Sequence, residues 1–307
     1  MKHSPRPHKK AAILAACSLL GLVLPAQSAV VGYWRFEDSG NLGTDSSPNG
    51  LNLTTTGGTA AATASVPLGT VPQTGAASGG ALDLEVDSGA DYLSIPDNNT
   101  FFNFQSFTVE AYITLESIGS DNTQSRIIAS QLSSTNVAWQ FGVAGSGSGL
   151  GTGSLFLAAA GTTLQNFDPD ATVSSPWNLT AGNSYYVAVS LNINASTGAT
   201  ATYYLQNLTA GTPMITTTTA LNANVKTLGN SGADFVIGGS FTGVTTVGRG
   251  FDGVVDEVRL STGVLSQSEL LNVPESGTGA LALGAIALWF GFGRGFRFQN
   301  RKVSANS

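Results

Sequence analysis

Carboxylates are the side chains in the body of this chain that offer acid–base chemistry. Both histidines, His3 and His8, and the single cysteine, Cys17, sit near the N-terminus, so no Ser-His-Asp triad, thiol nucleophile or histidine-ligated metal arises beyond it. Cleaving a glycosidic bond takes two carboxyl groups facing it, ~5 Å apart for retention and further apart for inversion. Glu85 and Asp87 in Glu85-Val86-Asp87-Ser88-Gly89 would share one face of a strand, but the next position on that face is Gly89. Glu110 is followed on its own face by Tyr112 and Thr114. Neither stretch assembles a set of catalytic acids. Non-catalytic binding is therefore the first reading, and a glycoside hydrolase or lyase with an atypical carboxylate pair is the second.

Asp256 poses a different problem. In Val254-Val255-Asp256-Glu257-Val258-Arg259-Leu260, alternation puts Asp256 with Val254, Val258 and Leu260, and sends Glu257 and Arg259 to the opposite face. A carboxylate on an apolar face needs a cation or several donors, because leaving it unpaired costs several kcal/mol. An ion pair with Arg35 or hydrogen bonds from loop amides would meet that need. Aromatic side chains supply the other candidate chemistry. Trp139-Gln140-Phe141 and the pairs Tyr185-Tyr186 and Tyr203-Tyr204 offer ring faces for stacking on sugars, Trp139 and Tyr186 being the candidates for ligand contact. Alternation buries at least one member of each pair.

Something must position these residues, and the sequence between Val30 and Leu271 points to strands. Phe107, Val109, Ala111, Ile113 and Leu115 share one face of a period-two stretch, and Tyr185, Val187, Val189 and Leu191 share another. Further strands are expected at 31–36, 81–86, 91–95, 126–131, 137–143, 154–159, 201–206, 234–238 and 254–261. Residues 54–80 and 144–153, rich in Gly, Thr, Ala and Ser, read as long loops. Many short antiparallel strands with one apolar face pack as two sheets, which makes this an all-β sandwich. Eighteen acids against five bases (Arg35, Arg126, Lys226, Arg249 and Arg259) give the segment from Val30 to Val273 a net charge of −13. That charge argues against nucleic acid as a partner.

Four blocks carry a family likeness: "VGYWRFEDSGNLGTDSSPNGLNL" at 31–53, "GGALDLEVDSGADYLSIPDN" at 79–98, "QSFTVEAYITLES" at 105–117 and "FDGVVDEVRLSTGVLSQSELL" at 251–271. Together they resemble the LamG-like, concanavalin A-like lectin/glucanase superfamily. The resemblance implies a jelly roll of two curved antiparallel sheets with the N- and C-terminal strands close together, and a role in carbohydrate binding, adhesion or structure. The glucanases of the superfamily carry Glu-x-Asp-x-Glu on one strand, and the nearest approach here ends in Gly89. Calcium sites in similar sandwich domains add a second partner for Asp256: a structural Ca²⁺ shared with Glu37 and Asp38, or with Asp45. In the last block, Ser266-Gln267-Ser268-Glu269 fits a capping box at the start of a short helix.

The two ends read as addresses. Lys9-Lys10, an apolar run from Ala11 to Leu24 and small residues up to Ala29 describe a secretory signal peptide over residues 1–29, with lipidation at Cys17 as the rival reading. The domain proper then spans 30–272, and 273–307 forms a tail. In that tail Val273-Pro274-Glu275-Ser276 precedes an apolar stretch from Gly277 to Gly293, and Arg294 opens a basic cluster. The stretch lies at the short edge of the ~17–25 residues that cross a bilayer. The arrangement resembles the PEP-CTERM sorting signal of Gram-negative, exopolysaccharide-producing bacteria. It implies export, transient membrane insertion, and removal of the tail by an exosortase-like enzyme. The product would be released to the cell surface or the extracellular polysaccharide matrix. A lasting single-pass anchor is the alternative.

Overall fold

The computed structural model describes residues 28–86, 91–97, 101–119, 126–132, 137–159, 172–221, 225–229, 232, 234–241 and 247–274. The expectations for residues 1–27 and for 275–307, including Glu275 and Arg294, lie outside the described residues. Among the described residues no helix is long and apolar enough to cross a membrane.

Two antiparallel sheets face each other. The first runs β13 (Ile215–Ala220), β12 (Gly198–Asn207), β11 (Ser184–Asn194), β6 (Phe107–Leu115), β17 (Gly253–Thr262), β4 (Ala81–Leu84) and β3 (Ala61–Thr63), with β1 (Val30–Trp34) also paired to β17. The second runs β10 (Thr172–Asn178), β9 (Ser154–Ala159), β8 (Val137–Val143), β7 (Arg126–Leu132), β14 (Phe235–Ile237), β5 (Tyr92–Ile95) and β2 (Thr54–Gly57). A small hairpin pairs β15 (Ser240–Phe241) with β16 (Val247–Gly248). This is the all-β sandwich that alternation implied and the jelly roll that the family resemblance implied. The N-terminal strand lies against the last one, in register from Gly32↔Leu260 to Trp34↔Val258.

The core fills the space between the sheets for the reason the sequence suggested. Phe107, Val109, Ala111, Ile113 and Leu115 of β6 and Tyr185, Val187, Val189 and Leu191 of β11 all enter one apolar cluster. Trp34 stacks on Phe235 at 4.8 Å between ring centres, and Trp139 lies against Phe107 at 4.6 Å. The Tyr203 hydroxyl crosses between sheets, donating to the Val173 carbonyl at 2.6 Å and accepting from the Leu157 amide at 2.9 Å. At the start of β17, Gly253 has φ +132°, and a Cβ there would lie 2.1 Å from the Thr114 carbonyl. Only glycine lets β17 sit that close to β6.

Some elements differ from expectation. Residues 54–80 are not a bare loop: they contain β2 and β3, and the remainder folds down onto the first sheet. The helix after β17 is a single 3-10 turn, Gln267–Glu269, in which the Ser266 amide donates to Glu269 Oε2 at 2.8 Å as the capping box required.

Candidate functional site

The outer face of the eight-stranded sheet is closed. Tyr112, Tyr186, Ala188 and Tyr204 point outward and are covered by Val71 from one segment and by Leu265, Leu270 and Leu271 from the C-terminal segment, forming a second apolar cluster. Glu110 lies fully buried at its centre. Its Oε1 accepts from Arg259 Nε at 2.7 Å, and its Oε2 accepts from the Tyr186 hydroxyl at 2.6 Å and the Leu271 amide at 2.8 Å. Arg259 also donates to Gln73 Oε1 at 2.8 Å and to the Glu269 carbonyl at 2.6 Å. Burial first, then the neighbouring Glu110 charge, pushes the Tyr186 hydroxyl far above its ordinary range. Such a carboxylate is committed to holding the C-terminal segment down and has no route to a substrate. Tyr186 has no exposed ring face to offer a sugar, and neither does Trp139, which is fully buried between the sheets.

Asp256 and Glu257 depart from strict alternation. Register across β17 and β6 shifts between Asp256 and Arg259, and Glu257 takes a left-handed φ of +51°. This bulge turns two consecutive carboxylates to the same outer side. Val255, Val258 and Leu260 enter the core, so Asp256 does not share a face with Val258 and Leu260, nor does Arg259 oppose it. Arg35 pairs with Glu257 rather than Asp256, at 2.8 Å from Nη2 to Oε1, and Tyr33 donates its hydroxyl to the same carboxylate. Asp256 accepts from the Ser78 hydroxyl at 2.6 Å through Oδ2, while Oδ1 is buried with no partner among the described residues. Burial, reinforced by the charges of Glu257 and Glu37, raises its carboxyl to about 8 against the opposing Ser78 bond.

Neither donor set expected for calcium, Asp256 with Glu37 and Asp38 or Asp256 with Asp45, forms a cluster of carboxylate oxygens among the described residues. Asp45 ties its own loop to β1: it accepts from the Tyr33, Ser47 and Leu51 amides at 2.8–2.9 Å and from the Ser47 hydroxyl at 2.7 Å. Asp38 is exposed and caps the Gly40 amide. Glu37 is tied to Arg35 and to the Gly79 amide. Of these four, Asp256 alone offers a buried oxygen without a partner among the described residues. A different trio, Glu85, Glu116 and Asp252, brings carboxylate oxygens within 4.8 Å of one another at the end of β4, β6 and β17. Burial, then the charges of Asp83 and Asp252, raises the Glu116 carboxyl. Arg126 bridges to Asp252 at 3.6 Å.

The outer face of the seven-stranded sheet has a different character. Its strands send Leu93, Ala129, Trp139, Phe141, Leu157, Phe235 and Ile237 into the core. The alternate positions form one row across five strands: Ser94, Val236, Ser130, Gln140 and Ala158, paired in that order. Beside it Ile127, Phe156 and Ala158, with Leu150 against them, make a small apolar cluster. Gln140 Oε1 accepts from Arg249 Nη1 at 3.3 Å, but Gln140 Nε2 and Ser240 Oγ are buried without a partner among the described residues. Both residues have no exposed surface. Buried donors left unmade cost about 1–3 kcal/mol each, which a bound water would recover. The sequence signal for this place was the glutamine between Trp139 and Phe141, which alternation turns outward when both rings turn in.

Comparisons with known proteins agree with this architecture. A family model described as the concanavalin A-like lectin/glucanases superfamily matches residues 87–271, more than half of the 307-residue chain. No curated protein matches the sequence. Among solved structures the chain is similar to domain 4 of AbnA, a GH43 extracellular arabinanase from Geobacillus stearothermophilus, in complex with arabinotriose. The TM-score is 0.51 at 16% identity, over 80% of this chain and 97% of that one. A weaker likeness is to botulinum neurotoxin type C, in a structure concerned with its interaction with two ganglioside molecules (TM-score 0.49, 11% identity, 80% of this chain and 50% of that one). Another is to the Ruminococcus gnavus IT-sialidase CBM40 bound to alpha2,3 sialyllactose (TM-score 0.38, 18% identity, 55% and 81%). The chain spans about half of the neurotoxin chain it matches. By its matched residues and its two facing antiparallel sheets, the chain belongs to the concanavalin A-like lectin/glucanases superfamily.

Proposed function

We propose that this is an exported carbohydrate-binding domain working without catalysis at the cell surface or in an extracellular polysaccharide matrix. The observation that carries the reading is the likeness of the two-sheet fold to a domain seen with arabinotriose, over 97% of that domain. The arabinotriose complex of a protein of similar fold supports carbohydrate as the ligand class. Export rests on the N-terminal signal-like segment, and sorting rests on the resemblance of Val273-Pro274-Glu275 and Arg294 to an exosortase substrate.

One arrangement favours the second reading, a hydrolase or lyase. Glu116, with its raised carboxyl, faces Glu85 and Asp252 within 4.8 Å, a spacing close to that of a retaining pair. A panel of polysaccharides separates the two. Retention of protein on an insoluble glycan with no release of reducing ends is expected. Reducing ends that disappear in Glu116→Gln would replace binding with hydrolysis.

A further inference from the structure

We propose that two copies of this chain pair edge to edge through β13, joining their eight-stranded sheets across a two-fold axis at Thr218. Among the described residues β13 is the terminal strand of its sheet and is bonded on one side only, to β12, in unbroken register from Leu205↔Ile215 to Thr200↔Ala220. Ile215, Thr216, Thr218 and Ala220 are exposed. Soluble proteins protect such edges with charge, proline or a bulge, and this strand has none of them.

Charge identifies the occupant. The sequence from Ala171 to Val225, which covers β10, β11, β12 and β13, contains no charged residue, although the segment from Val30 to Val273 carries −13. Two such particles repel each other except where their acids are absent, and β13 lies in that neutral zone. The strand is also complementary to itself. Antiparallel pairing about Thr218 sets Thr217 opposite Thr219 and Thr216 opposite Ala220 of the second copy, with side chains on matching faces. On the outer face the Thr202 and Thr218 hydroxyls already bond at 2.9 Å, and the join extends that pair into a ladder of four threonines. A strand-to-strand contact of this length is small beside stable interfaces, so the dimer dissociates on dilution.

The test uses the full-length chain in detergent. A Cys17→Ser background leaves each introduced cysteine as the only thiol. A short bis-maleimide should join two copies of Thr218→Cys into a dimer-mass adduct. Ser196→Cys, exposed in the turn between β11 and β12, should give none, which controls for chains brought together by the micelle. In sedimentation velocity the parent should show a concentration-dependent dimer, and Thr218→Lys, which sets two ammonium groups face to face, only monomer. Equal cross-linking of the two cysteine variants overturns the proposal, as does dimer retained by Thr218→Lys. A parent that is monomeric at every concentration also overturns it, and protection of Thr218→Cys from the reagent by added neutral oligosaccharide would then give the edge to glycan. Should Thr218→Lys fail to fold, the cross-linking contrast decides alone.

Discussion

Glu110→Gln is expected to lower unfolding free energy by about 3–5 kcal/mol, because it leaves the Arg259 guanidinium without its counter-charge under the C-terminal segment. The carboxylate is fully buried and accepts from Arg259, Tyr186 and the Leu271 amide. The loss should be local before it is global. Leu265, Leu270 and Leu271 hold the outer cluster closed, and Glu110 reaches the backbone of that segment directly. Limited proteolysis should therefore cut the variant near Leu271 while the sandwich persists. Replacing both partners, as Glu110→Leu with Arg259→Met, should cost less than Glu110→Gln, since no buried charge is left behind. Urea denaturation of the parent and the two variants measures both losses. A loss under about 1 kcal/mol for Glu110→Gln would show that water reaches the network and screens it.

Asp256→Asn is expected to raise stability at alkaline pH by several kcal/mol in metal-free protein. The folded carboxyl keeps its proton up to about pH 8, whereas an unperturbed one releases it near 3.8. Between those values the folded state binds more protons than the unfolded state, so stability falls as pH rises, and above about pH 8 the loss is complete. Below 3.8 the group is neutral in both states and contributes nothing. The amide stays neutral throughout, so parent and variant should melt together near pH 4 and diverge towards pH 9. Calcium held by Asp256 would reverse the result: EDTA would lower the parent's melting temperature, and Asp256→Asn would lose both that stabilisation and the sensitivity to chelator.

What was legible in the sequence was whatever depends on period. β6 and β11 alternate without interruption, and their inward residues are those that alternation named. β17 was found as a strand, but its faces were not, because the bulge at Glu257 puts a left-handed backbone on a glutamate and nothing local signals it. β13 was missed because Ile-Thr-Thr-Thr-Thr-Ala has no alternation to read, and β2 and β3 because their residues are small and border on glycine. The fate of Tyr186 was beyond local pattern. Its position on the outer face follows from alternation with Tyr185, but its burial comes from segments distant in sequence that fold over it. Trp139 and Phe141 both turned inward, and the polar residue between them turned to the other face, where it too is buried.

Carbohydrate binding without catalysis is tested most directly by titrating neutral oligosaccharides, arabinotriose first, into the parent chain, with heat of binding as the readout and reducing ends assayed in the same samples. Saturable heat with at least one oligosaccharide, and no release of reducing ends, is expected. No heat with any of them, or heat accompanied by release of reducing ends, would contradict the account.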